Sequence, residues 1–471
     1  MTASDVEDTP LLAVQEHEKV YERFSTAQKR IIVGLVGWSA ILPLFAAGTF
    51  IPSIPQIAKD LDADPQTISW AVSLGVLATA IGSLTFATYS AYYGRRAAYL
   101  AGSPLLFIGS VGVAMSRHVP EMLVWKCIQA AGTSGGASVG AAVIGDIYKL
   151  TERGTAMGIF FGASLLGPAL SPAFGGLGAH YFSWRWTQYG LAVAGLFSFV
   201  LLTSLLPETS HPGTRGNEKY WQSLPEDSAS RGKFKWVWLN PFACFKLLCS
   251  PPVLFVTLCA TSFLLTDYAL LIPISYTLGE RYNLTNEFFV GACYLPLGLG
   301  NIIGAPLSGY LSDRAVIRAI KEHGPTNWLP EERLKGSILG AILPVPLSVL
   351  FSGLITKYIG GPLGLVLNLL CFFMNGIGVD MCLAPLSAYT VDILHDRSAE
   401  VLAAGMGIRA MLLAAYVPSV FPSLEHFGIV GTYGIAAGVA WFGCALLILT
   451  IRYGKELRGW VDMGYTTPSS A

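Results

Sequence analysis

Four ionisable residues lie inside long apolar stretches of this chain: Lys126, Asp267, Asp380 and Arg409. An ionised group in hydrocarbon costs several kcal/mol, so it normally faces a cavity or a partner. A buried carboxyl can take up a proton when its charge is disfavoured and release it when a cation comes close. Lys126, within "LVWKCIQAAGTSGG", offers a cation for an anionic ligand or a counter-charge for such a carboxylate. Gln129 follows three residues later, on the same helical face, and can hydrogen-bond a ligand. This chemistry is binding and proton movement, not bond-making. No catalytic triad, metal-ligand cluster or phosphate loop is evident, which argues against an enzyme and against a metal or other cofactor. The eight cysteines form no C-x-x-C pair, so neither zinc nor a disulfide framework is implied.

Apolar helices must position these groups. The chain of 471 residues is 53% hydrophobic and 13% charged, with a mean hydropathy of +0.53. Soluble domains are typically about a quarter charged. Lipid is therefore the main solvent, and a net charge of zero gives no basic surface for nucleic acid. A helix needs about 20 apolar residues to cross a bilayer. Twelve segments qualify: 31–54, 68–90, 98–116, 120–145, 155–180 and 187–206, then 253–278, 287–311, 336–356, 362–391, 402–421 and 428–451. The expected fold is all-α, with two six-helix bundles at 29–206 and 251–452. A tail (1–28), a central loop (207–250) and a second tail (453–471) are expected in the cytoplasm. The first tail is polar and acidic, so no cleavable signal peptide is expected. With both termini inside, 23 of the 30 Lys and Arg fall on cytoplasmic segments and 5 on outer loops. That bias follows the positive-inside rule. The outer loops include a glycosylation triplet at Asn283.

Depth follows from the helical rise of about 1.5 Å per residue. Lys126 lies about 9 Å below the outer start of its segment, and Asp267 about 16 Å below the outer end of its own. Both are expected in the outer half, close enough to couple, with Lys126 facing a cavity in preference to snorkelling outward. Asp380 falls near mid-membrane. Arg409 lies early in its segment, within reach of the cytoplasmic face; it reads as more structural than ligand-binding, and stands with Lys126, Gln129, Asp267 and Asp380 among the expected pathway residues. Trp70, Tyr268, Tyr294, Phe373 and Met374 are expected around the cavity.

The halves echo each other. "DIYKLTERGTAMGI" begins at Asp146 and contains Arg153, and "DILHDRSAEVLAAGMGI" begins at Asp392. "FATYSAYYGRR" follows the second segment, and "LSGYLSDRAVIR" follows the eighth. Two parallel six-helix repeats are a transporter architecture, with the site between them near mid-membrane. The motifs "FIPSIPQIAKDL", "WKCIQAAGTSGGASVGAAVIGDIY" and "GIFFGASLLGPALSPAFGGLGAHYFSWRW" carry the resemblance from about residue 30 to 455. The last contains Gly158, Gly162, Gly167, Pro168, Pro172, Gly175 and Gly176. The chain resembles the major facilitator superfamily, and within it the fungal twelve-span drug:proton antiporters.

The resemblance implies that segments 1, 4, 7 and 10 line a central cavity. It also implies gating at the loop after the second segment, where Gly94, Arg95 and Arg96 remain but Ala87 and Ala91 replace the usual Gly and Asp. The second-half copy keeps Gly309, Asp313 and Arg314, so Asp313 is expected to carry more of the gate. Lys126 stands where the family usually has Arg, keeping the charge but losing the planar fork. The expected function is export of a secondary metabolite or xenobiotic by proton antiport, with Asp267 or Asp380 carrying the proton. The alternative is an organic-acid exporter for an itaconate- or citrate-like anion. A solute importer and a non-transporting sensor are weaker readings. The expected partners are the substrate, protons and lipid, for a monomer in the plasma membrane.

Overall fold

The computed structural model describes residues 20–148, 153–212, 214–222, 236–284, 286–323, 329–394 and 398–460. Most of the expected first tail, the end of the second and the middle of the central loop lie outside these residues. All regular structure among the described residues is helical. This follows from the solvent: hydrocarbon offers backbone groups no partner, so a helix must satisfy its own.

The first half contains α1 (Thr26–Gly48), α2 (Ile54–Asp60), α3 (Pro65–Tyr93), α4 (Arg95–Met115), α5 (Val119–Thr133), α6 (Gly135–Ile147), α7 (Arg153–Tyr181) and α8 (Trp184–Leu205). A short linker helix, α9 (Gly216–Gln222), precedes the second half. That half contains α10 (Pro251–Leu271), α11 (Glu287–Ala292), α12 (Leu295–His323), α13 (Ile338–Ile342), α14 (Pro344–Tyr358), α15 (Gly361–Ile393), α16 (Ser398–Tyr416) and α17 (Val420–Trp460). Among the described residues, ten helical runs are long and apolar enough to cross a membrane. The expected fourth segment is not among them, because it is broken at Ser134 into α5 and α6. The expected eleventh and twelfth segments share one run, Glu400–Trp460, in which Gly428 is non-helical. Pro168 and Pro172 lie inside the continuous α7.

Small residues set the helix spacing. A Cβ at Gly136 would meet the backbone carbonyl of Ser39 in α1, and one at Gly175 would meet the backbone of Thr49. In lipid, such close approach is the main source of helix association. Gly167 abuts Leu44 of α1, whereas Gly162 and Gly309 have open space where a Cβ would stand. Gly158 lies in α7, and nothing further is described of it.

At the end that carries the linker, polar contacts fasten each half. Gly94 links α3 to α4 at φ 110°, a left-handed value that favours glycine. A Cβ there would also strike the Glu208 carboxylate. Glu208 accepts from the Arg95 amide (3.0 Å) and the Arg96 amide (3.2 Å), satisfying the first donors of α4. Arg95 Nε pairs with Asp146 Oδ2 at 2.9 Å. Arg96 donates to the Thr203 carbonyl at 2.7 Å.

The second half repeats this arrangement with a residue that the sequence reading did not single out. Arg333 Nε pairs with Asp392 Oδ2 at 2.7 Å, while Asp313 is 3.7 Å from the same guanidinium. Asp313 has 72% of its side chain exposed, and Arg314 stacks on Tyr310 at 4.3 Å. The Arg153 side chain lies outside the description. Arg458 and Glu331 form a buried ion pair, and the Tyr389 hydroxyl donates to Glu331 at 3.1 Å.

Breaking a buried ion pair by removing one member leaves an uncompensated charge, at a cost of about 3–5 kcal/mol. Arg458→Met should therefore destabilise the detergent-solubilised protein by about that amount, read by denaturant or thermal unfolding. Arg314→Met, which loses only a ring contact, should change stability far less.

Candidate functional site

The apolar packing between the halves is uneven. Away from the linker end, Phe50, Ile54 and Ile68 of the first half share one buried cluster with Leu270, Leu278, Tyr294 and Val417 of the second. Toward the linker end each half has its own core, one around Val36 and Phe160 and the other around Val253 and Leu386. A smaller cluster of Leu84, Cys244 and Ala404 bridges the two. Between these regions lies a cavity of about 350 Å³. Its walls come from α1, α3, α5, α10 and α16.

Lys126, Gln129 and Arg409 line this cavity. Lys126 is 3% exposed. Its Nζ donates to the Ala46 carbonyl at 3.0 Å and to Gln129 Oε1 at 2.8 Å, and lies 4.5 Å from the centre of the Phe50 ring. Gln129 Nε2 in turn donates to Ser110 Oγ and Gln188 Oε1, both at 2.9 Å. The chain of contacts thus joins α5 to α1, α4 and α8. Gly75 of α3 leaves room for the lysine stem: a Cβ there would sit 3.9 Å from Lys126 Cγ.

These contacts explain how a lysine persists at this depth. A hydrogen bond to a charged group is worth about 1.5–3 kcal/mol, and a ring face adds about 0.5–2 kcal/mol. Together they offset a burial cost of several kcal/mol without a carboxylate. Lys126 has no ion-pair partner among the described residues. The expected coupling to Asp267 is thus not made, because neutral groups occupy its donors. Arg409 also has no ion pair among the described residues, and Tyr268 is its electrostatic neighbour. Arg409 faces the same cavity as Lys126. No acidic residue lines the cavity among those described.

Asp267 and Asp380 are also placed differently from the expectation, since neither is among the cavity-lining residues. Asp267 is 6% exposed and Asp380 is half-buried, and each has an oxygen with no hydrogen-bond partner. Helical phase explains this. Tyr268, one residue on, turns to the cavity and leaves Asp267 behind it. Of the expected aromatic and sulfur lining, only Tyr268 is present, joined by Phe50. Tyr294 belongs to the shared apolar cluster. Trp70 is 45% and Met374 39% exposed, and neither lines the cavity. Sequence reasoning did not find Gln188 or Ser110; each is a single polar residue whose facing depends on helix rotation. Asn283 is exposed with φ 55°, and Thr285 of its triplet lies outside the described residues.

The Major Facilitator Superfamily model matches residues 36–418, and the chain belongs to that family. It is a multi-pass membrane transporter of small molecules. "Efflux pump radE" of Floropilus chiversii is 27% identical over 89% of this chain and 78% of its own length. "Citrate exporter 1" of Aspergillus niger is 25% identical over 96% of this chain and 91% of its own. In fold, the chain is similar to a bacterial homologue of the lysosomal transporter Spinster in an inward-facing conformation. That likeness has a TM-score of 0.64 at 15% identity, covering 93% of this chain and all of the other.

The Lys126 contacts predict a graded mutational series. Gln129→Leu should impair transport at least about tenfold, as loss of one bond to a charged group implies. Gln188→Leu, one bond further out, should impair it less. Equal surface expression of both variants, with the reverse order of transport loss, would contradict the assignment.

Proposed function

We propose that this chain is a proton-driven exporter of small organic molecules that carry a negative charge. The observation that carries this reading is the pair of cations, Lys126 and Arg409, facing one cavity with no acidic lining residue. An anion would supply the missing counter-charge, while the apolar walls around Leu44, Phe50 and Val76 accommodate a hydrocarbon body. The broader reading, a secondary metabolite or xenobiotic of any charge, leaves the two cations without a role. Relatives described as a citrate exporter and an efflux pump support export as the direction.

Alternating access supplies the mechanism. With the linker in the cytoplasm, the shared apolar cluster closes the cavity toward the outside. An exporter collects its substrate when the smaller linker-end cluster parts as well. The halves then rock so that the outer cluster parts and the substrate leaves. Asp267 or Asp380 takes a proton from outside and gives it up inside, so the proton gradient drives the cycle. The two linker-end arginine–aspartate pairs, Arg95–Asp146 and Arg333–Asp392, hold the helix ends that move as units. The plasma membrane is the expected site of action.

Metabolite profiling of the medium from a strain lacking this chain should show depletion of one or more organic anions. Lys126→Met and Arg409→Met should each cut export of that anion by at least about tenfold, the loss of about 1.4 kcal/mol of binding or more. Lys126→Arg should retain more activity. If drug sensitivity changes while secreted anions do not, the anionic substrate is wrong. For the coupling step, Asn at the carrying carboxylate should remove proton-driven flux and preserve exchange. Normal transport by both Asp267→Asn and Asp380→Asn would sink the coupling role.

A further inference from the structure

A second cavity, of about 720 Å³, shares no lining residue with the one that holds Lys126. The two lie against different faces of α3. Thr79, Ala80 and Ser83 line the first, whereas Ile81, Thr85, Tyr89 and Tyr93 line the second. Its other walls are α4, through Ala97 and Ala101, and linker residues 236–242. The volume is in the range of about 300–1,000 Å³ common for small-molecule sites. The linker wall is held in place by rings. Tyr89 and Tyr93 stack with centres 6.1 Å apart and planes 6° apart. The Trp236 ring lies 5.4 Å from Tyr89 and 6.5 Å from Tyr93, at 28° and 25°. The Val237 amide donates to Tyr93 Oη at 3.0 Å, and the Leu239 amide to Tyr89 Oη at 3.4 Å.

This cavity has a polar end and an apolar end. Asn217 of α9 stands at the linker end, and Ile81 lies about 18 Å beyond Tyr93 along α3, at a rise of about 1.5 Å per residue. Ile81, Ala97 and Ala101 are exposed on membrane-crossing helices, so the cavity is continuous with surface that faces acyl chains. Tyr and Trp are enriched at that depth, where bilayer meets water. An apolar cavity stays dry and takes an apolar body, and lipid is the apolar material at its mouth.

The lining also selects among lipids. No charged residue lines the cavity among those described, so a phosphate headgroup finds no counter-charge there. Thr85 already donates to the Ile81 carbonyl at 2.7 Å, and Asn240 Oδ1 accepts from the Phe242 amide at 3.0 Å. Asn217 Oδ1 is buried with no hydrogen-bond partner. A buried acceptor left unpaired is costly, and a single hydroxyl would satisfy it. The near-parallel ring faces suit a flat body, and a rigid one loses less freedom on binding than a flexible chain.

We propose that this cavity binds a sterol from the leaflet on the linker side. Its hydroxyl donates to Asn217 Oδ1, and its fused rings lie along Tyr89, Tyr93 and Trp236.

The test is photolabelling of the purified full-length protein in phosphatidylcholine vesicles that contain a diazirine-bearing cholesterol, with the labelled residues mapped by mass spectrometry. Label should fall on residues 81–101 and 236–242, and excess cholesterol should suppress it. Epicholesterol, whose hydroxyl has the opposite configuration, should compete about three- to tenfold worse, as loss of one neutral hydrogen bond implies. Asn217→Leu should weaken competition by cholesterol by about the same factor. Ala97→Trp, which fills the cavity from α4 and leaves the ring stack intact, should abolish the label. If Ala97→Trp fails to fold, Asn217→Leu and the epimer decide the matter. Label spread evenly over the lipid-facing helices, or confined to residues around Lys126, overturns the site. Equal competition by phosphatidic acid or by dioleoylglycerol overturns it as well.

Discussion

An ionised group in hydrocarbon is tolerated only where something replaces its water, and that constraint organises this molecule. Lys126 meets it with a carbonyl, an amide oxygen and a ring face. Its charge is solvated and not cancelled, so the cavity keeps a positive character that a bound anion can use. Arg409 adds to the same field from the other half. The two carboxyls are held behind the cavity wall. Had one of them paired with Lys126, Arg409 alone would be left to give the cavity its positive character.

The same constraint works differently at the linker end. There the charges are only part-buried and find opposite partners: Arg95 with Asp146, and Arg333 with Asp392. The two halves match in geometry but exchange roles elsewhere. In the first half an acid after α8, Glu208, caps the start of α4. In the second, an acid before α13, Glu331, is met by Arg458 near the end of α17. A repeat can thus preserve the arginine–aspartate pair while the acid beside it takes different partners. Close helix packing through Gly136 and Gly175 ties the helices of the first half together.

Much of the fold was legible in the amino-acid order. Length of apolar run, the bias of Lys and Arg, and the Asp146–Asp392 echo are one-dimensional signals. They are imposed by bilayer thickness and by duplication, and neither depends on how a helix is rotated. The cost of placing Lys126 was legible for the same reason: a charge within an apolar run is costly whichever way it faces. Gly94 was readable as a motif, although its cause, a left-handed φ above a carboxylate, is visible only in three dimensions.

What only the tertiary structure decided was facing. Turning a helix by one residue moves a side chain about 100° around the axis, and that alone sends Tyr268 to the cavity and Asp267 behind it. Arg333 meets Asp392 across 59 residues of sequence, a pairing that no local motif announces. Gln188 and Ser110 joined Lys126 because three other helices happen to converge on it. Sequence fixes which groups cannot be left alone in lipid; packing chooses the neighbours that keep them there.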